Sequence, residues 1–295
     1  MMTKTNGQGY IMEQNKKIAV IGFNKRSCLD KFLASTDILS KKYNVAFEKY
    51  IYGRKDFHYY DKLPVLGSVR PNLTDFDAVV SVGGDGTFLY TARVFAGTDI
   101  PIFGVNNGQL GFNTSIEINE FEHFLSNFIN GQADYEYKDT LEIAINEDKF
   151  LVLNDAVISH AGISRIITLD VSIDDATVSK IKGDGLIIST PTGSTAYNLS
   201  AGGPILHPSV EAFVLTPICA HTLAIRPFIV PYKDTLSVHI KDSTVQPQLT
   251  LDGHKIIFLQ KNQTITVKKS NKPVKIIRGN KNFTQILNMK LGWGI

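Results

Sequence analysis

Three glycines and one carboxylate follow an apolar run in the segment Gly83–Thr87 (GGDGT). The preceding residues, Ala78–Val82, have the pattern of a buried strand, and Phe88–Phe95 has helical spacing. Glycine lets a ligand approach the backbone closely, and free N–H groups at a helix start bind phosphate. Asp85 would then accept a proton or anchor Mg²⁺. The alternative is an ordinary strand-to-helix turn with a capping aspartate.

Two further polar segments could contribute to the same site. Asn106–Phe112 (NNGQLGF) follows the next predicted strand, at the edge where open α/β sheets bind ligands. Lys182–Tyr197 is rich in glycine and hydroxyl groups, which suit phosphate or ribose. For the first of these segments the alternative is an ordinary loop, and for the second it is a capped helix start.

Asn154 and Asp155 form a fourth candidate, since an amide beside a carboxylate can bind paired hydroxyls or an adenine edge. A simple turn is the alternative that the sequence favours there. The chain has no P-loop, no GxGxxG after its first strand and no Gly-x-Ser-x-Gly elbow. Its histidines lack metal-ligand spacing, so no fixed metal site is expected, and only His254 is kept as a candidate ligand contact.

The elements that must position these residues change in character along the chain. Strands and helices alternate up to about residue 135, which predicts an α/β N-terminal domain with a parallel, Rossmann-like sheet. Short strands then follow one another, which predicts a β-rich C-terminal domain of β-sandwich type. The expected division is a flexible N-terminus at 1–15, an α/β domain at 16–135, a β-rich domain at 136–280, and a segment at 281–295 that returns to the first domain.

The composition and charge of the chain narrow the classes of protein to which it could belong. The chain has 295 residues, a net charge of +3 and 43% hydrophobic residues, which suits a globular protein. Its lysines are scattered, so a dedicated nucleic-acid surface is not expected. No signal peptide or membrane span is recognisable, and the two cysteines, Cys28 and Cys219, are expected to be reduced and packed in a cytoplasmic protein.

Taken together, the GGDGT turn and the Ser189–Pro208 run (STPTGSTAYNLSAGGPILHP) resemble the ATP-dependent NAD kinases of bacterial type. The likeness spans roughly residues 78–255. It implies NAD⁺ and ATP as substrates, Mg²⁺ or another divalent cation arriving with ATP, polyphosphate as an open alternative donor, and a homodimer or homotetramer. It implies NADP⁺ and ADP as products.

The resemblance also assigns roles to individual residues. Asp85 would be the catalytic acid/base. Phosphate would contact Gly83, Gly84, Gly86 and Thr87. NAD would contact Asp85, Gly86, Phe112, Asn154, Asp155, Asp184, Thr195, Ala196, Tyr197, Asn198, Leu199 and Ser200, with Arg93, Arg165, Lys182 and His254 as further candidates. Four positions depart from the usual family pattern: Asp155 replaces Glu, Lys182 replaces Arg, Ala220 replaces Pro, and His254 replaces Gln.

Three other functions remain as alternatives. Lipid kinases share the GGDG motif, but the chain shows no basic amphipathic helix for a membrane surface. A dinucleotide-binding sensor would keep the pocket without turnover, although the intact Asp85 disfavours it. A nucleic-acid-binding module is disfavoured by the scattered charge.

Overall fold

A computed structural model describes residues 16–292, apart from 24–25, 53–74, 107, 109, 161–165, 223 and 244. The candidate Arg165 therefore lies outside the described residues. None of the helices in the described residues is long and apolar enough to span a membrane.

The N-terminal part alternates strands with helices. Its elements are β1 (Lys16–Phe23), α1 (Arg26–Tyr43), β2 (Val45–Tyr52), β3 (Ala78–Val82), α2 (Asp85–Phe95), β4 (Ile102–Asn106), β5 (Ile116–Glu117), α3 (Phe121–Ile129) and β6 (Tyr135–Lys138). Strands β2, β1, β3 and β4 are mutually parallel neighbours. The predicted parallel α/β sheet is confirmed.

Both faces of this sheet are covered, which explains why its strands are continuous apolar runs. Ile18 and Val20 share one apolar cluster with residues of α1 and α3. Ala19 and Ile21 point the other way and share a second cluster with Phe88 and Ala92 of α2. Helix α2 is thus held against the sheet by one apolar side.

The strands that follow are mostly antiparallel, and nearly all of them belong to a sandwich. They are β7 (Leu141–Ile145), β8 (Asp148–Val152), β9 (Asp155–His160), β10 (Ile167–Ile173), β11 (Ala176–Gly183), β12 (Gly185–Ser189), β13 (Ala212–Ile218), β14 (Phe228–Pro231), β15 (Leu236–Ser243), β16 (Pro247–Leu251), β17 (Lys255–Phe258), β18 (Thr264–Lys269) and β19 (Val274–Ile277). A single turn of helix, α4 (Tyr197–Ser200), interrupts them, and α5 (Phe283–Leu291) ends the described chain.

Two six-stranded sheets form the sandwich, in the orders β11-β10-β15-β18-β7-β8 and β14-β13-β12-β9-β16-β17. Residues from both sheets build one core, for example Leu141 and Ile143 from the first and Ile158 and Leu186 from the second. The predicted β-rich sandwich is confirmed.

The last strand, β19, does not join the sandwich. It lies between β4 and β6 in the first sheet, parallel to β4 and antiparallel to β6. The predicted β-rich segment 136–280 had included both β19 and most of β6. A short apolar strand looks the same in either sheet, so its partner could not be identified from its own sequence.

Helix α5 lies against the N-terminal part. Lys281 pairs with Glu117 at 3.0 Å, and Nδ2 of Asn280 donates to Glu120 at 3.0 Å. The Nζ of Lys290 donates to the carbonyl oxygen of Leu110 at 2.8 Å. The residues between β6 and β19 are therefore an insertion into a unit built from both ends of the described chain.

Candidate functional site

Asp85 is the first residue of α2, and its carboxylate is held by two backbone groups. The N–H of Phe112 donates to Oδ2 at 3.0 Å, and the N–H of Asn113 donates to Oδ1 at 2.9 Å. The two predicted segments, GGDGT and NNGQLGF, are thereby joined. The approach is close, because a Cβ on Gly111 would lie 2.3 Å from Oδ1 of Asp85.

The helix start around Asp85 is open. Gly84 is the N-cap, and no side chain caps it. The first N–H groups to bond back are those of Thr87 and Phe88, which both donate to the carbonyl oxygen of Gly84. A Cβ on Gly84 or Gly86 would meet no atom within 4 Å. The N–H groups of Asp85 and Gly86 thus precede the helical ladder, in a place that suits an anion.

Gly83 and Thr87, two predicted phosphate contacts, have an inward role. A Cβ on Gly83 would lie 2.3 Å from Oγ1 of Thr87. Thr87 is 3% exposed. Its hydroxyl packs beneath the turn, so this side chain shapes the turn rather than facing the open side of it.

A cavity of about 410 Å³ lies on the outer face of the sheet that contains β9 and β16. Four predicted NAD contacts, Asn154, Asp155, Ala196 and Tyr197, line it. The cavity is completed by Val157, Ser159, Thr250, Asp252 and Gly253. Asp85, Phe112 and Asp184 are not among its lining residues.

Asn154 and Asp155, which line this cavity, carry polar groups in unusual surroundings. Oδ1 of Asn154 is buried and has no hydrogen-bond partner in the described protein. Asp155 is 5% exposed, and burial together with the nearby charge of Asp252 raises the pKa of its carboxyl to about 7. A buried acceptor without a donor is a place where a ligand donor stabilises the complex.

The hydroxyl-rich segment uses its buried hydroxyls to hold this pair in place. Oγ1 of Thr190 donates to the carbonyl oxygen of Leu153 at 2.6 Å. Oγ of Ser194 donates to the carbonyl oxygen of Pro191 at 2.6 Å. A Cβ on Gly193 would lie 2.1 Å from the carbonyl oxygen of Asn154. The hydroxyls of Thr190 and Ser194 are thus engaged within the protein, where they fasten the loop.

Asn198 is fully buried, and its side chain is engaged within the protein. Its Nδ2 donates to the carbonyl oxygens of Ser194 (3.0 Å) and Pro204 (2.9 Å), and its Oδ1 accepts from Thr216 (2.6 Å). It braces the segment from inside. Other predicted contacts nearby remain accessible to a ligand: Thr195 and Leu199 are partly exposed, and Ser200 is exposed.

Asp184 and Lys182 lie beside the cavity rather than in it. Asp184 sits between β11 and β12, 3.9 Å from Nε2 of His160, and accepts from the thiol of Cys219, which raises the pKa of that thiol. Cys219 is exposed, contrary to the packed position expected for it. The side chain of Cys28 lies outside the described residues. Lys182 is exposed on β11.

Arg93 and His254 lie at the opposite end of α2 from Asp85. Eight residues of helix place Arg93 about 12 Å along the axis from Asp85. Its charge favours ionisation of Asp252 and, after burial, lowers the pKa of His254. Helix α2 thus contributes Asp85 at one end and faces the Asp252 turn near the other.

The same helix is packed against the strand that leads to the cavity. Leu151 and Leu153, at the end of β8, share an apolar cluster with Phe88, Ala92 and Phe95 of α2. Asn154 follows Leu153 directly. The two halves of the candidate site are therefore held in a defined relation by apolar packing.

Two family models match the chain. The model described as the ATP-NAD kinase N-terminal domain matches residues 30–133, and that of the ATP-NAD kinase C-terminal domain matches residues 153–279. The NAD kinase of Syntrophotalea carbinolica is 41% identical over 224 residues, which cover 74% of this chain and 79% of that protein. The NAD kinase of Treponema denticola is 39% identical over 226 residues, covering 74% and 80%.

The chain belongs to the NAD kinase family.

Solved structures agree with this membership. An NAD kinase from Archaeoglobus fulgidus in complex with ATP is 25% identical, with a TM-score of 0.74 over 94% of this chain and 100% of that one. A yeast NADH kinase complexed with NADH is 22% identical and shares the fold, with a TM-score of 0.80 over 96% and 89%.

Asp85 lies within the range matched by the N-terminal NAD kinase domain. The residues that line the cavity lie within the range matched by the C-terminal NAD kinase domain. Asp252 and Thr250 were missed by sequence reasoning. For Asp252 a signal was present, since it lies two positions before His254, which was selected as a candidate ligand contact.

Proposed function

We propose that the protein is an NAD kinase that transfers the γ-phosphate of ATP to the 2′-hydroxyl of the adenosine ribose of NAD⁺, producing NADP⁺ and ADP. The observation that carries the proposal is the carboxylate of Asp85, held by two N–H groups at an open helix start in a chain of this family.

Asp85 is suited to accept the proton of the attacking hydroxyl. One N–H bond to each carboxylate oxygen leaves a free lone pair on each of them. The orientation of the carboxylate is thereby set before substrate arrives. Phosphoryl transfer depends mainly on alignment and charge stabilisation, so a preset base beside an anion-binding helix start supplies both.

The cavity beside Asn154 and Asp155 is suited to the dinucleotide. The partnerless Oδ1 of Asn154 fits a donor such as the adenine amino group, and the carboxylate of Asp155 fits paired ribose hydroxyls. Tyr197, 48% exposed at the wall of the cavity, offers an aromatic face for a base or nicotinamide ring.

The divalent cation is proposed to enter with ATP, held mainly by phosphate oxygens. In the described parts of the chain, no three His, Cys, Asp or Glu side chains are grouped so that they could hold a metal ion. Mg²⁺ commonly binds through substrate phosphates with one carboxylate, and it would neutralise charge on the transferring group. Polyphosphate remains an alternative donor.

A homodimer or homotetramer is proposed from the outer face of the cavity sheet. Ile256 and Phe258 on β17 are 55% and 62% exposed, and they point to the same face as the lining residues Thr250 and Val157. An apolar edge beside an open cavity suits cover by a second copy of the chain. Multi-angle light scattering measures the assembly directly, and a monomer would contradict it.

The test is NADP⁺ formation from NAD⁺, ATP and Mg²⁺, measured with an NADP-specific dehydrogenase. Wild type should form NADP⁺, and Asp85→Asn should lose about 10²–10⁴-fold in kcat, the usual contribution of a positioned base. The matched control is Asp37→Asn, which changes an exposed carboxylate of α1 that pairs with Lys49 of β2, and its activity should be unaffected. Binding of NAD⁺ without turnover, with ATP or polyphosphate as donor, would instead support a dinucleotide sensor.

A further inference from the structure

Asp252 is a buried carboxylate that phosphoryl transfer does not itself require. It lies in the turn between β16 and β17, is 9% exposed and adopts a φ of 47°. A non-glycine residue in this left-handed conformation is unfavourable by about 1 kcal/mol or more, so its surroundings must hold it there.

The carboxylate of Asp252 accepts three consecutive backbone N–H groups. Oδ1 accepts from Asn154 at 2.7 Å and from Asp155 at 3.2 Å, and Oδ2 accepts from Leu153 at 3.1 Å. The N–H of Asp252 in turn donates to the carbonyl oxygen of Asp155 at 2.9 Å. Four hydrogen bonds therefore tie the turn to the segment that carries both polar side chains of the cavity.

We propose that Asp252 is a positioning residue for the dinucleotide: its carboxylate holds the backbone of residues 153–155 so that Asn154 and Asp155 face the cavity in binding geometry. The inference rests on the proposed function, because it takes NAD⁺ as the ligand of that cavity. It adds a residue that affects the affinity for NAD⁺ through the residues that it holds in place.

The charge of Asp252 gives the residue a second effect on Asp155. Burial raises the pKa of both carboxyls. At Asp252 the three N–H donors and the charge of Arg93 oppose that rise, whereas at Asp155 burial and the charge of Asp252 both raise the pKa. The charge of Asp252 therefore adds to burial in opposing ionisation of Asp155.

Other charged groups near the pair act on the Asp252 side. Arg93 of α2 faces Asp252 and His254, and Lys255 lowers the pKa of His254 together with Arg93. His254 is thus predominantly neutral at neutral pH. The carboxyl of Asp155 is the group whose ionisation should change NAD⁺ binding near pH 7, and its ionised form is the better acceptor for ribose hydroxyls.

The experiment measures the equilibrium affinity of the full chain for NAD⁺ in the absence of ATP. Calorimetry is carried out at pH values from 5.5 to 8.5. NAD⁺ has no group that titrates near neutral pH, so the profile reports the protein. Wild type should bind more weakly as the pH falls through about 7. Asp155→Asn should abolish this dependence.

Asp252→Asn should raise Kd by about tenfold and move the midpoint of the profile to lower pH, since it removes one acceptor and the neighbouring charge. If Asp252 only maintained the structure of the turn, Asp252→Asn would weaken NAD⁺ binding without moving the midpoint of the pH profile. The matched control is Asp242→Asn, an exposed carboxylate paired with Lys261 on the other sheet, which should leave both Kd and midpoint unchanged.

The outcomes separate the two proposals. Wild type that does not bind NAD⁺ overturns the proposed function. Wild type that binds NAD⁺, with an Asp252→Asn variant of unchanged Kd and unchanged midpoint, overturns the positioning role alone. If Asp252→Asn does not fold, carbon-13 NMR of the aspartate carboxyls in wild type decides. A signal that titrates near pH 7 and disappears in Asp155→Asn supports the inference, and its absence contradicts it.

Discussion

At the scale of single residues, the carboxyl of Asp155 lies in surroundings that oppose its charge. It is almost fully buried, it faces a second carboxylate, and its pKa of about 7 is raised from 3.8. The folded protein therefore binds the Asp155 proton more tightly than the unfolded chain does. Stability from this group is present below about pH 4 and is lost as the pH rises towards 7.

Asp155→Asn should consequently stabilise the protein while weakening NAD⁺ binding. At pH 8 the penalty for the ionised carboxyl, up to about 4 kcal/mol, is removed, whereas at pH 5 the wild-type carboxyl is already protonated. We expect Tm to rise by about 2–8 °C at pH 8 and by much less at pH 5, measured by scanning calorimetry. Equal shifts at both pH values, or a loss at pH 8, would contradict the assigned surroundings of Asp155.

Residues that lie close together in the chain could be predicted from the sequence, and distant partners could not. The GGDGT turn was recognised because its glycines, carboxylate and flanking strand are contiguous. The contact between Asp252 and Asn154 joins residues 98 positions apart. Nothing in either local pattern indicates it, and the inward position of the Ser189, Thr190 and Ser194 hydroxyls was not indicated locally either.

At the scale of elements, helix α2 and the end of β8 set the relation between the two halves of the site. Leu153 is 1% exposed and belongs to the cluster that contains Phe88 and Ala92. Since Asp85 begins the helix and Asn154 follows Leu153, a small shift in this packing would change the spacing between base and dinucleotide.

Leu153→Ala should therefore lower stability by about 2–4 kcal/mol and also lower kcat/KM for NAD⁺ by more than tenfold. Leu236→Ala, fully buried in the sandwich core on β15, is the matched control. It should lose similar stability in urea unfolding and keep its kcat/KM below the melting range. Equal losses of activity in the two variants would show that α2 packing has no special role.

The accuracy of the element predictions depended on burial. Strand β3 was predicted with its observed bounds, because it is a compact apolar run. Strand β11 has a weak sequence pattern, since it is an edge strand with exposed Val178, Lys180 and Lys182.

At the scale of the whole molecule, the C-terminal residues complete the N-terminal sheet. A chain that ends at residue 273 would lack β19, leaving β4 and β6 without their shared neighbour. A chain that ends at residue 281 would keep the sheet and lose α5, with the contacts of Phe283 and Lys290 to the loop that holds Asp85.

We expect the shorter chain to be insoluble or unfolded, and the longer one to fold with reduced kcat. Unpaired inner strand edges expose hydrogen-bonding groups and apolar surface, whereas loss of α5 removes packing from one side of Phe112. Circular dichroism and the NADP⁺ assay distinguish the two effects. Full activity in the chain that ends at 281 would show that α5 does not support Asp85.

The position of β19 also constrains how the protein is made. Synthesis proceeds from the N-terminus, so β4 and β6 leave the ribosome more than 130 residues before the strand that separates them. The gap between them must stay open for several seconds while the sandwich is translated, at roughly 5–20 residues per second. The nascent chain is then most exposed to mispairing and chaperone capture in that interval, and the first sheet closes only once residue 277 has emerged.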